Sequence, residues 1–150
     1  MVRIFDKSKL KPDCENCDAL CCVATTFKTP NYDKPPRIAC KHLDQVQNRC
    51  PIFDRLEEEG FTFCRDFDCY GGGPAVTALF KELGKNWMNA PEIAEVQYHT
   101  FSIVYFQLVK SLHPDRAIEI DVPDAIIEEL NPFTEQALDM LAATADPFEQ

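Results

Sequence analysis

Residues 89–112 read NAPEIAEVQYHTFSIVYFQLVKSL. Ile93, Val96, Phe101, Val104, Leu108 and Leu112 fall on one stripe at helical spacing. Ile103, Tyr105, Phe106 and Val109 widen that stripe beyond what a surface helix carries. The stretch therefore predicts a long helix buried over most of its circumference, with Asn89 as the cap of a capping-box-like start. A helix of that kind needs apolar partners on several sides.

The flanking sequence supplies them. Residues 74–83 place Val76, Leu79, Phe80 and Leu83 at i, i+3, i+4 and i+7, and Gly84 is a stop signal. Further along, 118–122 alternates Ile118, Ile120 and Val122 with Glu119 and Asp121, which predicts a short strand or extended segment. Two more helices are expected at 123–130 and 132–145. The second has Asn131 as cap and Phe133, Ala137, Met140 and Leu141 as inner face.

The first half is built differently. All eight cysteines lie there: Cys14, Cys17, Cys21, Cys22, Cys40, Cys50, Cys64 and Cys69. The break in composition falls at Gly71-Gly72-Gly73, read as a hinge or a close-packing site. The segment CENCDALCC (14–22) predicts a turn leading into a helical turn. Residues 23–28 predict a short strand, and 29–37, with three prolines, a loop without regular structure. Residues 51–59 predict a short helix that starts at Pro51 and stops at Gly60. The expected architecture is mostly α, with an irregular, cysteine-rich and loop-rich N-terminal half: a small α protein built around a metal site. The 150 residues make a single domain, 1–73 cysteine-rich and 74–150 helical.

Composition narrows the function. The net charge of -10 argues against binding to nucleic acid or to anionic lipid. The charged N-terminal stretch lacks the apolar core of a signal peptide, and no apolar run approaches the ~20 residues that span a bilayer. The expected location is the cytoplasm, where thiols stay reduced. That weighs against a scaffold of four disulfides. A role as small core hydrophobes accounts for one or two cysteines, not eight in one half.

Metal ligation accounts for them better. Cys14 and Cys17 form a C-x2-C half-site, the spacing by which a tight turn aims two thiolates at one ion. Cys21 returns to the side of Cys17 after one helical turn, while Cys22 points about 100° away. Cys22 thus serves a second metal, bridges two metals or is a spare thiol. Cys50 stands at the cap of the 51–59 helix, and Cys69 ahead of the helix at 74. Both positions favour a thiolate. Lys41, Arg49 and Arg65 stand beside cysteines and offset their charge.

The succession CENCDALCC, ACKHL, RCPIF and FCRDFDCYGGG resembles a bacterial cysteine-cluster family with a CxxCxxCC-type signature, described as zinc- or iron-chelating. Flagellin N-methylase-like proteins belong to that family. A closer likeness is to the cysteine-rich N-terminal domain of some pentapeptide-repeat proteins, in which a C-[FY]-G-x-G stretch runs into helices. The likeness covers roughly residues 14–112. It implies Cys14, Cys17, Cys21, Cys22, Cys40, Cys50, Cys64 and Cys69 as ligands. No run of A-[DN]-L-x-x pentapeptides follows here, so functions of the repeats do not carry over.

All-cysteine ligation suits an iron–sulfur cluster, of the [4Fe–4S] type, or zinc. The first expectation is a small metal-binding protein with a redox, maturation-accessory or partner-binding role, its partner another protein. An alternative is a metal-dependent enzyme or subunit that modifies a partner protein, methylase-like. A further alternative is a structural zinc interaction module. His42 is read as a surface residue before a ligand, His99 as structural, and His113 as a helix-end residue. No Ser-His-Asp pattern or HExxH motif is present, and no catalytic residue is assigned. Oligomeric state is left open.

Overall fold

The computed structural model describes residues 4–11, 17, 20–24, 27–29, 32–34, 40–41, 43, 58, 68–120 and 122–143. The fold is mostly helical. Before residue 68 the described elements are a 3-10 turn at Lys7–Lys9, a single helical turn α1 (Leu20–Val23), and strands β1 (Phe27–Thr29) and β2 (Tyr32–Lys34). After it come α2 (Gly72–Glu82), α3 (Ala94–Leu112), α4 (Asp124–Glu129) and α5 (Asn131–Met140). The helix expected at 51–59 lies outside the described residues.

The long helix is central, as its periodicity requires. Phe101, Ile103, Val104, Leu108 and Val109 are each at most 1% exposed, so α3 is buried on several faces. It begins later than the sequence predicted. Asn89 does not cap it: its Oδ1 accepts from the Asn86 amide at 2.8 Å, while Asn86 Oδ1 accepts from the Met88 and Asn89 amides. This local Asn–Asn turn competes with the cap, as short polar side chains do. A 3-10 turn over Pro91–Ile93 then leads into the helix. The turn also buries Trp87, whose amide donates to Gln97 Oε1 at 2.9 Å and whose ring lies 6.3 Å from that of Tyr98.

Helix α2 stops where predicted. Gly84, at φ +69°, donates to the Lys81 carbonyl, and the Lys85 amide donates to the Phe80 carbonyl. These are the two bonds of a Schellman stop. Its start differs: Gly72 and Gly73 are helical, so the glycines are the first turn of α2 and not a hinge before it. Gly72 faces the Val104 and Leu108 side chains.

Helix α5 packs against α2 and α3, with the Phe80 and Phe133 rings 6.0 Å apart. Its inner face is Thr134, Ala137 and Leu138, with Leu141 just beyond. Phe133 and Met140 are only half-buried, so the face is rotated from the predicted one. The helix ends at Met140 and not at 145, because the next residues pair with the N-terminal segment. Asp6 donates to the Leu141 carbonyl at 2.9 Å, Ala143 donates to the Ile4 carbonyl at 2.8 Å, and Phe5 bridges Ala142. Residues 118–120 make no sheet pairing among the described residues. Val122 is buried with Ile103 and Leu130 in a smaller apolar cluster.

Two expectations for the first half are corrected. Val23 belongs to α1, so the strand begins at Phe27. The 29–37 stretch is not without regular structure: Tyr32–Lys34 pairs antiparallel with Phe27–Thr29, with Thr29 opposite Tyr32 and Phe27 opposite Lys34. The three described pairs contain no proline, so each residue in them keeps its ladder donor. No described helix is long and apolar enough to cross a membrane.

Candidate metal centre

The described cysteines come together where the chain enters α2. Tyr70 and Gly71 both adopt positive φ, 54° and 80°, and together turn the chain from Cys69 into the helix. A non-glycine residue in this region is uncommon and draws attention to its surroundings. The turn is closed by the Gly72 amide on the Cys69 carbonyl at 2.9 Å, and Asp68 Oδ1 accepts from the Tyr70 amide at 2.7 Å. Gly71 is packed against the Lys9 carbonyl and the Leu141 side chain, where a Cβ could not fit. The N-terminal segment and the end of α5 thus clamp this turn in place.

Gly73 is where cysteines from distant parts of the sequence meet. A Cβ placed on it would lie 2.8 Å from Cys17 Sγ and 3.8 Å from both Cys69 Sγ and Phe101 Cε1. Two sulfurs therefore converge on one side of a residue that has no side chain to keep them apart. They sit at the first turn of an eleven-residue helix, whose N-terminal dipole favours anionic charge. Both belong to or pack against the main apolar cluster, which also holds Cys40, Leu20, Val23 and Phe101. Cys40 and Cys69 are 7% and 8% exposed, and Cys17 is half-buried. All three are present as thiols.

Of the other predicted ligands, Cys21 and Cys22 have their backbone on α1, between the fully buried Leu20 and Val23. Cys14, Cys50 and Cys64 lie outside the described residues, as does His42. Among the described residues no group of three or more His, Cys, Asp or Glu side chains converges. What they do bring together is a pair of soft sulfur donors in an apolar setting. This donor chemistry fits zinc or an iron–sulfur cluster and not a hard, oxygen-seeking cation.

An aromatic group borders the thiols. Phe101 stacks with Tyr105 at 6.4 Å, and Tyr105 with Tyr70 at 6.5 Å. The Tyr70 hydroxyl lies 3.2 Å from Nε2 of the exposed His113. Burial pushes the Tyr105 phenol above its ordinary 10.0; Arg116 opposes this, and Tyr70, Asp68 and Cys69 add to it. Sequence reading placed His113 at a helix end but missed its tyrosine partner, which belongs to the turn after Cys69.

Three cations stand beside cysteines in the sequence. Lys41 is exposed, and Arg49 and Arg65 lie outside the described residues. Among the described residues the buried cation is Lys34, in a segment read as loop, and no local signal marked it.

No family model and no solved structure matches the chain. Among curated proteins it is similar to the uncharacterized protein YybG of Bacillus subtilis (strain 168), with 35% identity over 126 residues. The match covers 81% of this chain and 44% of YybG, so the chain spans less than half the length of that relative.

Proposed function

We propose that this chain is a small thiolate–metal protein, with a redox, maturation-accessory or partner-binding role. The carrying observation is the approach of Cys17 Sγ and Cys69 Sγ to Gly73. Cys17 and Cys69 hold the metal from one side, and the remaining ligands come from Cys40, Cys14, Cys21, Cys22, Cys50 and Cys64. Support comes from the soft donor set, the helix N-terminus beside it and the cysteine order that resembles the zinc- or iron-chelating family. An iron–sulfur cluster would supply one-electron transfer there, and zinc a structural cross-link or Lewis acidity. The protein itself supplies apolar surroundings, a positive helix end and a clamped turn that keeps Cys69 oriented.

A second reading, a metal-dependent subunit that modifies a partner protein, is favoured by one feature. The Tyr70–His113 pair puts a hydroxyl and an imidazole within hydrogen-bond distance next to Cys69, on a solvent-facing edge. The test of the main reading is purification without oxygen, followed by metal and acid-labile sulfide analysis and visible absorption. Stoichiometric iron with sulfide, or stoichiometric zinc, is expected. Protein that is folded, reduced and metal-free after such handling overturns the reading.

A further inference from the structure

The position that a Cβ would take on Gly73 lies 2.8 Å from Cys17 Sγ and 3.8 Å from Cys69 Sγ. The two sulfurs are therefore separated by no more than those two distances laid end to end. Both are thiols, and they are not equally accessible: Cys69 is 8% exposed, whereas Cys17 is half-buried. We propose that Cys17 and Cys69 are a redox-sensitive pair, and that closing their disulfide switches off metal binding. The pairing stands on the geometry at Gly73; the switch rests on the thiolate–metal reading above.

A disulfide needs its sulfurs at about 2 Å, and a change of rotamer at either cysteine carries its sulfur across part of the remaining gap. Gly73 has no side chain to block that approach. Access assigns the roles. Cys17 is open to a small reagent, and the first turn of the eleven-residue α2 beside it favours the thiolate. The oxidant is a low-molecular-weight disulfide. The Cys17 thiolate attacks one of its sulfurs, forms a mixed disulfide and expels a thiolate, which takes up the proton that Cys17 lost. Cys69, shielded from the reagent but beside Cys17, then attacks the Cys17 sulfur. It expels the second reagent thiolate, which takes up the Cys69 proton. The two cysteines together lose two electrons, and one reagent disulfide is reduced to two thiols. The turn that carries Cys69 is held by the Gly72 amide on the Cys69 carbonyl and by the packing of Gly71 against the Lys9 carbonyl. Metal ligation needs both groups as thiolates, so a metal and the disulfide compete for the same two sulfurs.

The test uses the full wild-type chain, reduced and metal-free under anaerobic conditions. It is treated with one equivalent of oxidised glutathione, the remaining thiols are alkylated, and the bridges are mapped by peptide mass spectrometry. Zinc affinity is measured against a chromophoric chelator before oxidation, after it and after re-reduction. The expected result is a Cys17–Cys69 bridge as the main product. Zinc affinity should fall at least about tenfold in the oxidised chain, since losing even an outer partner of a metal site costs that much, and should recover on reduction. Cys69→Ser should leave Cys17 in a mixed disulfide with glutathione. A bridge from Cys17 mainly to Cys14, Cys40 or another cysteine overturns the proposal, as does survival of both thiols while other cysteines are oxidised. A Cys17–Cys69 bridge with unchanged zinc affinity overturns the switch and removes these two residues from the ligand set. If the reduced chain takes up neither zinc nor, with iron and sulfide, a cluster, the metal reading falls and the switch with it, while the peptide map still decides the pairing on its own.

Discussion

Substituting Gly73 by alanine tests the site with one methyl group. Gly73 is the second residue of α2, with helical backbone, so alanine brings no φ strain and gains up to about 1 kcal/mol in helix propensity. The methyl would stand 2.8 Å from Cys17 Sγ, against the ~3.5–4.0 Å at which nonbonded heavy atoms rest. Its 3.8 Å separations from Cys69 Sγ and Phe101 Cε1 are ordinary contacts. Cys17 is therefore the group that must yield, by roughly 1 Å. Overpacking of this size costs about 1–3 kcal/mol, which the propensity gain partly offsets. Metal-free Gly73→Ala is expected to lose about 1–2 kcal/mol in urea unfolding. Zinc affinity is expected to fall about ten- to hundredfold, because the displaced atom is a proposed ligand. Gly84→Ala is the control. Nothing lies within 4 Å of its Cβ, but its φ of +69° costs roughly 1–2 kcal/mol, so it should lose stability and keep wild-type affinity. Wild-type zinc affinity in Gly73→Ala, or equal loss of affinity in Gly84→Ala, would refute the reasoning.

Cys17→Ser and Cys69→Ser should each lower the metal content of anaerobically purified protein, and His42→Ala should not; elemental analysis of the three variants decides this. Phe101→Ala removes a ring that is 1% exposed at the junction of α2, α3 and the thiols. It should cost about 3–5 kcal/mol in denaturant unfolding, and a loss under 1 kcal/mol would contradict its central position. Burial raises the pKa of both Tyr98 and Tyr105 above 10.0. In each case the unfolded chain ionises first as pH rises. The stability held below pH ~10 is therefore lost progressively above it. Ultraviolet titration should show a late-ionising tyrosine component, and Tyr105→Phe should remove part of it.

How much of this was legible in the sequence depended on whether the cause was local. The α3 stripe was readable because Phe101, Val104 and Leu108 follow the helix period themselves. Gly84 was readable because a Schellman stop needs a left-handed residue there. The early end of α5 was not, because Leu141 and Ala143 pair with Ile4 and Asp6 from the far end of the chain. The β2 strand was hidden by the prolines of the 29–37 stretch, none of which is among the paired residues Phe27–Thr29 and Tyr32–Lys34. At the site, Cys17 and Cys69 were both nominated as ligands from spacing and motif. Their meeting at Gly73 is a tertiary event, and of the two readings of the glycine run, hinge or close-packing site, it is the second that the contacts at Gly73 bear out. Lys34 gave no signal, since its burial depends on a hairpin that was not predicted.

Everything proposed for this chain turns on a metal held by clustered thiolates, with Cys17 and Cys69 among them. Metal-edge X-ray absorption on anaerobically purified protein measures this directly. The expected result is ligation by sulfur alone, at about 2.3 Å if the metal is zinc, with sulfur ligation diminished in Cys17→Ser. A shell dominated by nitrogen or oxygen, or a spectrum unchanged in Cys17→Ser and Cys69→Ser, would contradict it.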